Sequence, residues 1–177
     1  MQSKTGILAL DLASVSGWAV SCSQGGAIDL RNKNRHRGQM GVKFGSFLER
    51  TNREFLPDLV VIEAPPPRLM GAARMILLGL FWQANTFAAK HLNVATITAT
   101  ELKKWACGNH RATKEDMIVR AQELGCDPQD DNHADAFLLL AYQSEVMNLE
   151  VPQTRIQSIL KDWSDEEASH WALQNCS

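Results

Sequence analysis

"ILALDLASVSGWAV", residues 7–20, decides the fold. A continuous apolar run, Ile7 to Leu10, ends in a lone acid, Asp11; small residues then lead into a second apolar run. A run apolar on both faces predicts a central strand covered on both sides. "DLVVIEAP", residues 58–65, repeats the pattern with Glu63 as its closing acid. Pro65, Pro66 and Pro67 then take the chain out of the sheet, because proline has no N–H to give a ladder.

Working outward, "GWAVSCS" and "GGAIDLR" read as short strands, with Gln24, Gly25 and Gly26 supplying a tight hairpin. "NVATITA", residues 93–99, predicts a third buried strand. Residues 40–56 have helical spacing, with Met40, Phe44, Phe47 and Leu48 on one face. A long helix fits residues 69–90; it is apolar nearly all round, so more than one face should be covered. Thr98 or Thr100 can cap a helix holding "ELKKWA". Thr113 and Asp116 form a capping-box pattern for a helix to about Leu124, stopped by Gly125. "DDNHADAFLLLAYQSEVM", residues 130–147, is the last long helix. The order predicts an α/β fold: a mixed five-stranded sheet, an antiparallel meander plus parallel strands, with helices on both faces. Residues 1–148 form the main domain, and residues 149–177 a short acidic C-terminal helical extension.

The 177 residues, 45% of them hydrophobic, suit one core of good size. No run approaches the ~18 apolar residues of a membrane span, and the N-terminus does not read as a signal peptide. Cys22, Cys107, Cys126 and Cys176 are scattered, which fits free thiols in a reducing, cytoplasmic setting and not a zinc site. Net charge is −2, but residues 1–125 carry 16 Lys and Arg against 10 Asp and Glu, and residues 126–177 carry 2 against 10. That asymmetry directs attention to a basic binding surface, with Arg31, Lys33, Arg35 and Arg37 as candidate phosphate contacts.

The chemistry concentrates on acids. If the strands ending in Asp11 and Glu63 are parallel neighbours, both carboxylates emerge at one sheet edge, where open α/β sheets place ligands. Their repulsion and lost hydration would be offset by a divalent cation, and oxygen-only ligation indicates Mg²⁺ or Mn²⁺. In "DDNHADAF", Asp131 and Asp135 lie at i and i+4, and Asn132 and Asp135 at i and i+3; either spacing shares a helix face. Asp130, Asp131 and Asn132 are also good helix caps. His133 is off that face.

Asp11 in "ALDLASVSGWAV", Glu63 in "DLVVIEAP" and Asp135 in "DDNHADAF" resemble the acidic set of RuvC-type Holliday junction resolvases, of the RNase H-like superfamily. "ELKKWACGNHRATKEDMIVRAQELG" resembles the family segment in which a lysine, a glycine-containing turn, a small residue and a second lysine lead into a helix. Lys103, Gly108, Ala112 and Lys114 take those places. The resemblance runs from about Ile7 to Tyr142. It implies an RNase H-like fold and a homodimer placing paired, symmetric nicks in four-way DNA junctions, with about two divalent metals per site. Lys114 would hold the phosphate or developing charge, and Lys103, Lys104 and Arg111 would contact the DNA backbone. Paired nicking of a two-fold junction asks for a two-fold enzyme. The helix at 69–90 is the expected interface, with Gly71, Ala72, Gly79 and Ala84 allowing close approach and Leu77, Leu80 and Phe81 supplying apolar area.

The sequence departs from the family in two places. His110 stands where a second glycine is expected, and Asn132 stands where the fourth metal ligand is expected, with Asp131 one place earlier. Charge balance at a two-metal site favours Asp131 as the ligand, leaving Asn132 to cap the helix. The departures resemble a phage or mobile-element relative more than a standard bacterial resolvase. The alternatives are an RNase H-like nuclease acting on forks or RNA–DNA hybrids and, further off, a nucleotide-binding protein of the actin and sugar-kinase type.

Overall fold

The computed structural model describes residues 6–31, 37–67 and 70–147. In chain order these form β1 (Ile7–Asp11), β2 (Val15–Ala19), β3 (Gly25–Asp29), α1 (Arg37–Phe55), β4 (Leu59–Glu63), α2 (Gly71–His91), β5 (Asn93–Ile97), α3 (Ala99–Cys107), α4 (Lys114–Glu123) and α5 (Asp131–Val146). The strands make one mixed sheet in the order β3-β2-β1-β4-β5. β1, β2 and β3 run as an antiparallel meander, and β4 and β5 continue from β1 in parallel. Lys33 and Arg35, and the acidic extension expected over residues 149–177, lie outside the described residues.

Alternation along β1 and β4 divides the core in two. Ile7, Ala9, Leu59 and Val61 face α3, α4 and α5. Leu8, Leu10, Val60 and Ile62 face α1 and α2 with Phe44, Phe47 and Leu48. The two central strands therefore read as unbroken apolar runs because both of their faces are covered. Each fully buried leucine or isoleucine contributes roughly 1.5–3 kcal/mol, so the sheet's middle is its most firmly held part.

Three expectations change. The β2–β3 connection is Val20–Gln24, not the glycine pair: the Val20 N–H donates to the Gln24 carbonyl (2.9 Å), and Ser21 Oγ accepts from the Gln24 N–H (2.9 Å). Gly25 and Gly26 sit within β3, paired with Ala19 and Trp18. β5 is not buried: it is the sheet's edge, and Val94 is 43% exposed. Its apolar run misleads because only Ile97 is buried, with Ala95 partly buried against the core. Finally, α2 buries one face, through Leu80, Ala84, Phe87 and Ala88, and leaves Met75 and Trp82 each 66% exposed. Leu80 and Ala84 are core residues and are removed from the candidate subunit interface.

Helix ends obey local chemistry. Thr98 caps α3 by accepting from the Glu101 N–H (3.2 Å), and Gly108, at φ 68°, ends it in the left-handed region. Thr113 and Asp116 form the reciprocal capping box of α4. The cap of α5 is Asp130, which accepts from the His133 N–H (2.8 Å); Asn132, expected there, is already inside the helix. The first of three consecutive cap-competent residues takes the role because α5 begins two residues earlier than an Asn132 cap requires.

Candidate active site

Asp11 closes β1 and Glu63 closes β4, one step beyond the parallel pair Leu10–Ile62. Both therefore emerge at the same edge. By strand alternation they share the face of Ala9 and Val61, the face on which α5 packs. Asp135, in the second turn of α5, completes the group: its charge acts on both Asp11 and Glu63.

The approach of α5 to the sheet depends on two glycines. A Cβ on Gly17 of β2 would stand 1.9 Å from the Asn132 carbonyl oxygen, and one on Gly25 of β3 would stand 2.4 Å from His133 Nε2. No side chain can be placed at either position with the helix where it is. Gly17 pairs with Asp11 across the ladder, so the close approach occurs beside the acid itself. His133 is buried behind it. Its Nδ1 accepts from the Gln129 N–H (3.2 Å), its Nε2 lies 4.0 Å from Cys126 Sγ, and burial lowers its pKa. It packs the start of α5 and does not face the acids.

Holding three carboxylates there is costly. Burial, then the charges of Glu63, Asp135 and Asp131, push Asp11 well above the usual carboxylate range, with Lys114 opposing in part. Burial and Asp135 raise Glu63 to about 7, against the pull of Lys103. Burial raises Asp135 to about 6, again opposed by Lys103. Asp131, the first residue of α5, differs: its hydrogen bond from Lys114 Nζ holds its pKa low.

Two lysines supply positive charge. Lys103 of α3 is half-buried, and its Nζ donates to the Ala112 carbonyl (2.8 Å), tying α3 to the loop before α4. It is thus a strut with its charge beside Glu63 and Asp135, not a free phosphate contact. Lys114, the first residue of α4, is exposed and pairs with Asp131. Lys104 and Arg111 are exposed on the same α3–α4 segment. Arg31 is committed to Asp29 through Nε (2.9 Å) and Nη2 (2.8 Å), and Arg37 begins α1. Of the phosphate contacts expected at Arg31, Lys33, Arg35 and Arg37, Arg31 thus already pairs with a carboxylate.

Among the described residues, no three His, Cys, Asp or Glu side chains close into a ready ligand cage. The donor set is nonetheless carboxylate oxygen alone, partly open to solvent, and burial makes its charge unfavourable. That fits a hard divalent cation of the Mg²⁺ kind, which keeps several waters and takes only one or two carboxylates. The close approach at Gly17 and the Lys103 strut were not foreseen from sequence. A glycine inside a strand is the signal that marks such an approach.

The mixed sheet in this order, with helices on both faces, is a RuvC-like fold. The RuvC structure of Thermus thermophilus superposes with a TM-score of 0.66 at 14% identity, covering 80% of this chain and 96% of that one. T. thermophilus RuvC in complex with Holliday junction substrate gives 0.66 and 14%, covering 81% and 96%. The yeast mitochondrial Holliday junction resolvase Ydc2 gives 0.53 and 10%, covering 77% and 76%. No protein-family model and no curated protein sequence matches the chain. Among the described residues no helix is long and apolar enough to cross a membrane.

Proposed function

We propose that this chain is a divalent-cation-dependent endonuclease that nicks four-way or otherwise branched DNA in pairs, acting as a homodimer. The observation that carries the reading is the meeting of Asp11, Glu63 and Asp135, from three separate elements, at one sheet edge. The likeness to a fold seen bound to a Holliday junction supports the substrate class. Asp11, Glu63 and Asp135 would hold the cation, with Asp131 at the rim. Asn132 is the weaker donor, its neutral amide oxygen binding Mg²⁺ less strongly than a carboxylate. A bound divalent cation supplies charge to a phosphodiester oxygen and lowers the pKa of a water. The chain's own residues do the rest. Lys114 stands at the open rim, where it reaches a phosphate. Lys104 and Arg111 extend the positive surface along the α3–α4 segment for the backbone. Lys103 holds the segment in place. The exposed side of α2, with Met75, Gly79 and Trp82, is the face offered to a second subunit.

The test is incubation of the purified chain with a synthetic four-way junction, a fork and an RNA–DNA hybrid, with and without Mg²⁺. The expected result is Mg²⁺-dependent paired nicking of the junction, abolished in Asp11→Asn with junction binding kept. Preferential cutting of the hybrid or fork would move the substrate elsewhere among nucleic acids. Nicking by Asp11→Asn at the wild-type rate would remove the acid from the chemistry.

A further inference from the structure

Resting on that cation-dependent reading, we propose that Lys114 is the resident counter-ion of Asp131 and that a divalent cation displaces it, so that loading the site frees the lysine for DNA phosphate. The Lys114 ammonium pairs with Asp131 Oδ2 across the gap between α4 and α5. Its charge also acts on Asp135 and Asp11, more weakly than on Asp131. The two lysines of the site are built differently. Lys103 is half-buried and fixed to the Ala112 carbonyl. Lys114 is 71% exposed, on a flexible four-carbon stem.

Backbone dipoles favour the exchange. Lys114 is the first residue of α4, the end of a helix that disfavours a cation; Asp131 is the first residue of α5, the end that favours an acid. The aspartate's direction is thus set by its own helix, while the lysine is held mainly by the aspartate. A divalent ion brings twice the charge to the same oxygen, and an exposed ion pair is a weak competitor. The freed lysine stays within a side chain's length of the loaded site.

Calorimetric titration of Mg²⁺ or Mn²⁺ into the DNA-free protein tests the exchange. Lys114→Met should bind the cation about two- to fivefold more tightly than wild type, the range expected for losing one exposed competing ion pair. Lys90→Met, at the opposite end of the sheet beside Pro57, Asp58 and Asn93, removes the same charge and should bind as wild type does. Equal or weaker binding by Lys114→Met would overturn the exchange, as would an equal gain in Lys90→Met. If wild type and both variants bind no cation, the cation-dependent reading itself falls and the exchange falls with it.

Discussion

Glu63 and Asp135 hold protons in the folded chain up to about pH 7 and about pH 6, whereas unfolded carboxyls release theirs near pH 4. Between those limits the folded chain binds more protons than the unfolded one, so the metal-free protein loses stability as pH rises from 5 to 7.5. Asp11 acts in the same direction. Thermal melts over that range should fall in Tm, and Glu63→Gln should flatten the decline; an unchanged slope in the variant would show that burial of Glu63 has no such cost. Added Mg²⁺ should raise Tm more at pH 7.5 than at pH 5.5, because it binds the ionised set. At this scale the sequence was legible where a residue contradicts its surroundings: an acid ending an apolar strand signals itself. It was not legible at Lys103 or Asp130. Whether a lysine meets solvent or a carbonyl, and which of three adjacent cap-competent residues comes first, depends on where helices start in space.

Elements were read well where periodicity and burial agree and badly where they separate. β1, β4, α1 and the capped starts of α3 and α4 follow from pattern and capping chemistry. β5 carries a core-like run at an edge, and "GG" carries a turn signal inside a strand, because its glycine is required by a neighbouring helix and not by the chain's own bend. The docking of α5 onto β2 gives a prediction of its own. Gly17→Ala puts a methyl into the Asn132 carbonyl, which is backbone and cannot rotate away, so α5 must shift. A stability loss of about 1–3 kcal/mol in chemical denaturation is expected, as for overpacking in a core. Because Asp131 and Asp135 ride on that helix, cation affinity should fall as well. A Gly17→Ala protein with wild-type denaturation midpoint and cation binding would mean that α5 does not need the glycine.

For the whole molecule, α2 leaves an apolar side exposed, with Met75 and Trp82 each 66% exposed. If a second copy covers it, Trp82→Arg places a charge in a C₂ interface twice, once from each subunit. Wild type should sediment as a dimer at micromolar concentration and the variant as a monomer; a wild-type monomer with junction DNA present would remove the dimer. The site itself is drawn from distant parts of the chain. Asp11 belongs to the first strand, Glu63 to the fourth, and Asp135 to the last helix described. A growing chain emerges from the ribosome with its first acid early and its third only after all five strands of the sheet and α1 to α4 have been made. Whatever reaction these carboxylates support, a chain cut short before α5 lacks Asp135 and with it the complete acidic set.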